Sequence, residues 1–181
     1  MKTCPEIANS NGRLYALPRF RVTLVRENRA AYPATPICSS VDAAALLTPC
    51  FKGLDREQFV VCGLDAKHHI IGLNVVSTGS LTMSIVHPRE VFKPLILMNA
   101  CALICAHNHP SDDPSPSTED RTLTARLRQA GELLGITLLD HIILGESGYY
   151  SFASSGGLPP SRPTPQNSAP AEKMPYGGIA A

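Results

Sequence analysis

Apolar positions along the chain follow two periods, that of a strand and that of a helix, and the switches between them predict the elements. Phe59-Val60-Val61-Cys62-Gly63-Leu64 is short, rich in valine and almost wholly apolar, as a strand buried on both faces requires. Asp65-Ala66-Lys67-His68 reads as a turn, and Ile70-Ile71-Gly72-Leu73-Asn74-Val75-Val76 as the return strand of a hairpin. Leu103-Ile104-Cys105-Ala106 is another compact apolar strand, and residues 136–144 and 149–152 supply two more. Near the start, Phe20, Val22, Leu24 and Val25 suggest a short strand before a proline-containing loop.

Helical periods lie between these runs. Ser39-Ser40 offers an N-cap for a helix over 41–47 that stops near Pro49. Pro88 suits a first helical position, and Val91, Phe92, Leu95 and Ile96 follow at helical spacing, with a kink or early break expected at Pro94. Leu123, Leu127, Ala130 and Leu134 mark one face of a third helix, ended by Gly135. Strands alternating with helices predict an α/β sandwich with a mixed sheet. In such sheets, sites form where strands end and loops meet helix N-termini.

Composition sets the boundaries. Residues 1–38 lack periodicity over most of their length and read as an N-terminal extension, 39–153 as one domain, and 154–181 as a disordered Pro/Gly/Ser-rich tail too poor in large apolar residues to offset its ordering entropy. Apolar residues make up 44% of the chain and charged residues 17%, which excludes a fibrous protein or one disordered throughout. No apolar run is long enough to span a bilayer, and the N-terminus lacks the apolar segment of a signal peptide, so a cytoplasmic location is expected. The six cysteines are dispersed rather than densely spaced, which points to reduced thiols. A net charge of +1 gives no global attraction to nucleic acid, although a local basic groove would be hidden in that sum.

The chemistry is concentrated in residues 107–120, His-Asn-His-Pro-Ser-Asp-Asp-Pro-Ser-Pro-Ser-Thr-Glu-Asp. On an extended backbone, side chains two residues apart point the same way, so His107 and His109 can address one ion. A turn-rich loop then delivers Asp120 from the first turn of the next helix. Two imidazoles and a carboxylate leave a fourth tetrahedral position for water, the composition of a catalytic zinc site. Zinc lowers the pKa of such a water to about 7. Glu57, at the entrance of a buried strand, is the expected proton acceptor. Ser117, three residues before Asp120, is placed to donate to a developing oxyanion.

Simpler readings stand beside these. Ser117-Thr118-Glu119-Asp120 has the form of an ordinary capping box, whereas Pro116 at a first helical position would make Ser115 the cap and leave Ser117 and Asp120 free. Cys101 and Cys105 with His107 and His109 would make a closed structural site, although Cys105 sits in an apolar run where a thiol behaves as a small hydrophobe. Asp140-His141 offers either an outer contact to a metal ligand or a local structural hydrogen bond. His68-His69 reads as an exposed turn and His87 as a helix entrance.

The spacing His-x-His, seven residues, Ser, two residues, Asp, from His107 to Asp120, resembles the JAMM (MPN+) metalloprotease motif. The residues Val86-His87-Pro88-Arg89-Glu90-Val91-Phe92, His107-Asn108-His109-Pro110-Ser111, Pro116-Ser117 and Leu139-Asp140-His141-Ile142-Ile143 narrow the resemblance to the bacterial RadC family, over residues 40–153. The resemblance implies a three-layer, cytidine-deaminase-like α/β/α fold (JAMM/MPN) and a Zn2+ ion bound by His107, His109 and Asp120. It implies Glu57 as acid/base, with Asp55 its neighbouring competitor, and Ser117 as oxyanion donor. The chain departs from the longer family pattern in leaving no room for a preceding helix-hairpin-helix type region, and in carrying Asp112 where glycine is usual. The expected activity is that of a zinc metallohydrolase, a peptidase or isopeptidase acting on a peptide or protein. The alternative is a DNA-repair-associated protein or metal-dependent nuclease using the same site, kept open by Arg121, Arg126 and Arg128 nearby. A non-catalytic interaction module is the third class.

Overall fold

Side-chain parity on five strands decides how the layers assemble. The structure, a computed structural model, describes residues 7–8, 14–15, 21–25, 27, 35–79 and 86–158. In chain order come β1 (Ile7–Ala8), β2 (Leu14–Tyr15), α1 (Ser40–Phe51), β3 (Gln58–Leu64), β4 (Ile70–Thr78), α2 (Pro88–Leu97), β5 (Ala102–Asn108), α3 (Thr118–Leu134), β6 (Thr137–Leu144) and β7 (Tyr149–Ser151). β1 and β2 pair with each other, and the main sheet has the order β4-β3-β5-β6-β7. Only β5 and β6 run parallel, joined through α3, so the sheet is mixed as expected.

One face of the sheet presents Val60, Cys62, Leu64, Ile104, Ala106, Ile142 and Leu144, which pack with Ala43, Ala44, Leu47 and Phe51 of α1. The other presents Phe59, Val61, Leu103, Cys105 and Leu138 to Val91, Phe92 and Leu95 of α2 and Leu127 of α3. The result is the three-layer α/β/α sandwich. The β3–β4 hairpin closes as predicted: Asp65 Oδ1 accepts from the main-chain N–H groups of Lys67 and His69, and His68 takes the left-handed turn conformation.

Both helices with an internal proline run further than expected. α1 passes Pro49 to Phe51, and α2 passes Pro94 to Leu97. Each proline deletes a bond to the carbonyl four residues earlier. Those carbonyls belong to Ala45 and Glu90, residues on the exposed sides of their helices, while Phe51 and Leu95 beyond the prolines are buried. The buried face of α3 is also shifted, to Asp120, Thr124, Leu127 and Gly131, leaving Leu134 exposed. Close approach is the cause: a Cβ on Gly131 would lie 2.4 Å from the Ile136 carbonyl oxygen. Gly135 ends the helix with φ 70°, as predicted.

Residues 21–25 form no strand, and Val22, Leu24 and Val25 are exposed, while Phe20 lies outside the described residues. Among the described residues this short alternation pairs with no strand, and no ladder holds it extended. At the other end, the main-chain N–H groups of Gly157 and Leu158 both donate to the Phe152 carbonyl and Leu158 packs on the core, whereas residues 159–181 of the expected tail lie outside the described residues. Among the described residues no helix is long and apolar enough to cross a membrane.

Candidate metal centre

β5 is buried along its whole length and places His107 on the α2/α3 face, in line with Leu103 and Cys105. It is flanked by Phe59 on β3 and Ile143 on β6. One residue past the strand, His109 continues the ladder by donating its N–H to the Leu144 carbonyl. Asn108 faces the opposite way. Its Oδ1 accepts from the Gln58 N–H (2.9 Å) and its Nδ2 donates to the Arg56 carbonyl (3.1 Å), so the residue between the two histidines clamps the chain on both sides of Glu57. Sequence reasoning gave Asn108 no role, and its place between two histidines was the available signal.

The loop after His109 is held by its own carboxylates. Asp113 Oδ1 accepts from the Ser115 N–H and Asp112 Oδ1 from the Ser147 N–H. Asp112 has φ 65°, in the left-handed region that favours glycine, and aspartate is among the residues that tolerate it. The loop returns the chain to the N-terminus of α3, where Ser117, not Ser115, is the N-cap. Ser117 Oγ accepts from the Asp120 N–H, and Asp120 Oδ2 accepts from the Ser117 N–H (2.8 Å) and hydroxyl (2.6 Å). The reciprocal bonds fix the helix start one residue after Ser117 and leave Pro116 outside it. The capping-box reading and the site reading therefore hold together, because the cap leaves Asp120 aimed at the histidines.

His107 Nε2 lies 3.1 Å from His109 Nε2 and 3.2 Å from Asp120 Oδ1, and His109 Nε2 lies 3.7 Å from Asp120 Oδ2. Ligand atoms held tetrahedrally at zinc–nitrogen and zinc–oxygen bond lengths lie about 3.3–3.5 Å apart, and one ligand atom from each of the three residues lies within 4.8 Å of the others. These three form a group that could hold a metal ion, with His107 and Asp120 buried and His109 half-buried. Cys105 instead directs its thiol to the Asp140 carbonyl and Cys101 is exposed, so neither joins the group.

Burial works against charge on Asp120, but hydrogen bonds from both histidines and from Ser117 hold its carboxyl far below the usual range. His109 is raised, chiefly by its bond to Asp120. A cavity of about 620 Å3 opens beside the group, lined among others by Glu57, His109, Ser117, Glu119, Asp120 and Arg126. Glu57 is half-buried at its wall, and desolvation raises its pKa while His107 partly offsets this. Asp55 is exposed and bound to the Arg56 guanidinium at 2.8 Å, away from the cavity wall. Arg128 is paired with Glu132.

Behind the group lies His141. Its Nε2 is 2.9 Å from His107 Nδ1 and its Nδ1 is 2.6 Å from Thr124 Oγ1. Burial pushes its pKa well below the ordinary histidine value. Asp140 beside it is structural: it accepts from the Ser151 hydroxyl and from the N–H groups of His141 and Ala153. Of the two readings for this pair, each residue takes one.

Comparison with known proteins agrees with this architecture. The model of the RadC-like JAB domain matches residues 37–158. A UPF0758 protein of Shouchella clausii is 49% identical over 131 residues, covering 72% of this chain and 56% of the relative. Another, of Methanosarcina acetivorans, is 46% identical over 143 residues, covering 79% and 60%. A third, of Symbiobacterium thermophilum, is 47% identical over 134 residues, covering 74% and 57%. The chain thus spans less than two thirds of the length of these relatives. Their names give no activity, so the chemistry rests on the site.

Proposed function

The chain belongs to the RadC-like JAB domain family, and from that premise we propose that it is a zinc-dependent hydrolase of amide bonds, a peptidase or isopeptidase. The observation that carries this reading is the convergence of His107, His109 and Asp120 beside a cavity that Glu57 and Ser117 also line. Zinc held by the three would supply a Lewis acid that polarises a carbonyl and acidifies water at neutral pH.

The remaining steps belong to the chain itself. Glu57 takes the proton of the attacking water on its carboxylate and passes it to the leaving amine. Its raised proton affinity suits that task, since a base works best with a pKa near the working pH. Ser117 turns its Oγ–H from Asp120 Oδ2 toward the developing oxyanion. Phe59, Val86 and Leu123 give the cavity an apolar wall for a side chain of the substrate.

A nuclease reading draws on Arg126 at the same wall. It is the weaker reading because, among the described residues, Arg126 is the one Lys or Arg lining the cavity, beside Glu57 and Glu119, whereas phosphate neutralisation needs clustered Lys and Arg. A cytoplasmic setting accords with the unpaired cysteines Cys38, Cys50, Cys62, Cys101 and Cys105.

Metal analysis of the purified chain, followed by assay of the zinc-loaded protein against a peptide library, tests the proposal. We expect one zinc per chain and cleavage that is lost in Glu57→Gln and His109→Ala. A protein without metal would be an interaction module. Activity that survives both substitutions would overturn the mechanism, and metal-dependent cleavage of DNA, lost in His107→Ala, would favour the nuclease.

A further inference from the structure

The two histidines of the centre are oriented by different means. His109 Nδ1 lies 2.7 Å from the Asp113 carbonyl oxygen, which can only accept, so Nδ1 carries a proton and Nε2 is the nitrogen left to take an ion. His107 has no such carbonyl. Its Nδ1 meets another imidazole, His141, whose nitrogen can donate or accept, so the proton on His107 is undefined until that on His141 is known.

Thr124 settles it. Its Oγ1 is 2.6 Å from the main-chain carbonyl of Asp120, one helical turn earlier, and a hydroxyl has one proton to give. Having donated it there, Oγ1 can only accept from His141 Nδ1, also at 2.6 Å. His141 is fully buried with no carboxylate on its ring, so it stays neutral and its Nε2 is unprotonated. His107 Nδ1 must then donate, so Nε2 is the ring nitrogen left to face His109 and Asp120 and to take an ion. The opposite assignment would set the lone pairs of Thr124 and His141 against each other across 2.6 Å. The rings cannot turn out of this arrangement easily: His141 stacks on Phe152 at 8° and His107 on Phe59 at 15°.

We infer that Thr124 and His141 are positioning residues that hold the proton of His107 on Nδ1 and so keep Nε2 available as a metal ligand, through a chain of hydrogen bonds running from the backbone of one ligand, Asp120, to the ring of another. The inference rests on the reading of the group as a metal centre, but the position of a proton can be read whether or not the protein hydrolyses anything.

The experiment is nitrogen-15 NMR of the histidine side chains in the full chain, metal-free and zinc-loaded, with zinc affinity measured in parallel. The unaltered protein should show protonated Nδ1 on both His107 and His141 in both forms. Thr124→Val keeps the side-chain shape but removes the hydroxyl; it should raise the population of metal-free His107 protonated on Nε2 alone and weaken zinc binding by about 10- to 100-fold. Thr124→Ser should restore both. An unprotonated Nδ1 on His107 in the unaltered chain would overturn the inference, and that measurement decides even if a variant fails to fold. So would a folded Thr124→Val with the proton distribution and zinc affinity unchanged, the result expected if the threonine only packs.

Discussion

Glu57 and Ser117 are each asked to do two things, and the demands can be separated by substitution. A raised pKa means that at a given pH less of Glu57 is ionised than of an ordinary glutamate, whose pKa is about 4.3. Since the base acts as carboxylate, the acid limb of kcat/KM should lie above that value, with activity falling as pH drops through it. Glu57→Gln should lower kcat by about 10²- to 10⁴-fold and abolish the limb; an unchanged limb in a pH–rate profile would assign it to another group. Ser117 caps α3 and lines the cavity. Ser117→Gly should cost only a few tenths of a kcal/mol as a cap, against about 1 for Ser117→Ala. Both should lose about 10²- to 10³-fold in kcat through the missing oxyanion donor. Thermal melts beside the kinetics check this, and a loss that tracks stability alone would reduce Ser117 to a cap. The grouping of His107, His109 and Asp120 was legible because they fall within one short stretch whose strand, loop and cap each have local signals. The partners behind them were not: His107 meets His141 34 residues away, and Asn108 meets Gln58 50 residues away. Only the assembled sheet creates those neighbours.

At the scale of elements, what sequence periodicity missed were local departures from regularity. Residues of β6 were read as one strand, which they are, but its register with β5 skips Leu139: Leu103 pairs with Leu138 and Ile104 with Asp140. That extra residue reverses the alternation, so His141 rather than Asp140 shares a face with Cys105 and His107. Strict alternation from Leu138 would have sent the histidine to the α1 side. The prolines misled in the other direction, since both helices run on past the lost bond, which falls on their exposed sides. Gly131 was silent in the pattern and is where α3 approaches its own following strand. Alanine there would gain up to about 1 kcal/mol of helix propensity, but its Cβ would press the Ile136 backbone at 2.4 Å, a clash no side-chain rotation relieves. We expect Gly131→Ala to destabilise by about 1–3 kcal/mol in denaturant titrations. Gly135→Ala meets nothing within 4 Å and should lose about 1 kcal/mol, from its left-handed φ alone. A loss at Gly131 well below about 1 kcal/mol would mean that α3 packs less closely on the Ile136 backbone.

For the whole molecule, the centre ties together parts of the fold that the chain connects only at a distance. His107 belongs to the central strand β5, His109 is laddered to β6, and Asp120 opens α3, the crossover joining those two strands. An ion bound by all three would therefore link a strand, a loop and a crossover helix that separate on unfolding. Binding to the folded state alone stabilises by about 2.7 kcal/mol when free metal exceeds its dissociation constant 100-fold, which for a domain of this size is about 10 °C in Tm. Zinc titrated into the metal-free chain should raise the melting temperature by that order, and a chelator should reverse it. Asp120→Asn separates this linkage from nonspecific effects: it keeps the size of the side chain and a cap acceptor but removes the anionic ligand, so the zinc-dependent shift should largely vanish. A melting temperature that ignores zinc in the unaltered chain would mean the three side chains converge without holding an ion. In that case His107, His109 and Asp120 would serve only as a buried polar knot between β5 and α3, and the hydrolytic reading would fall with the metal.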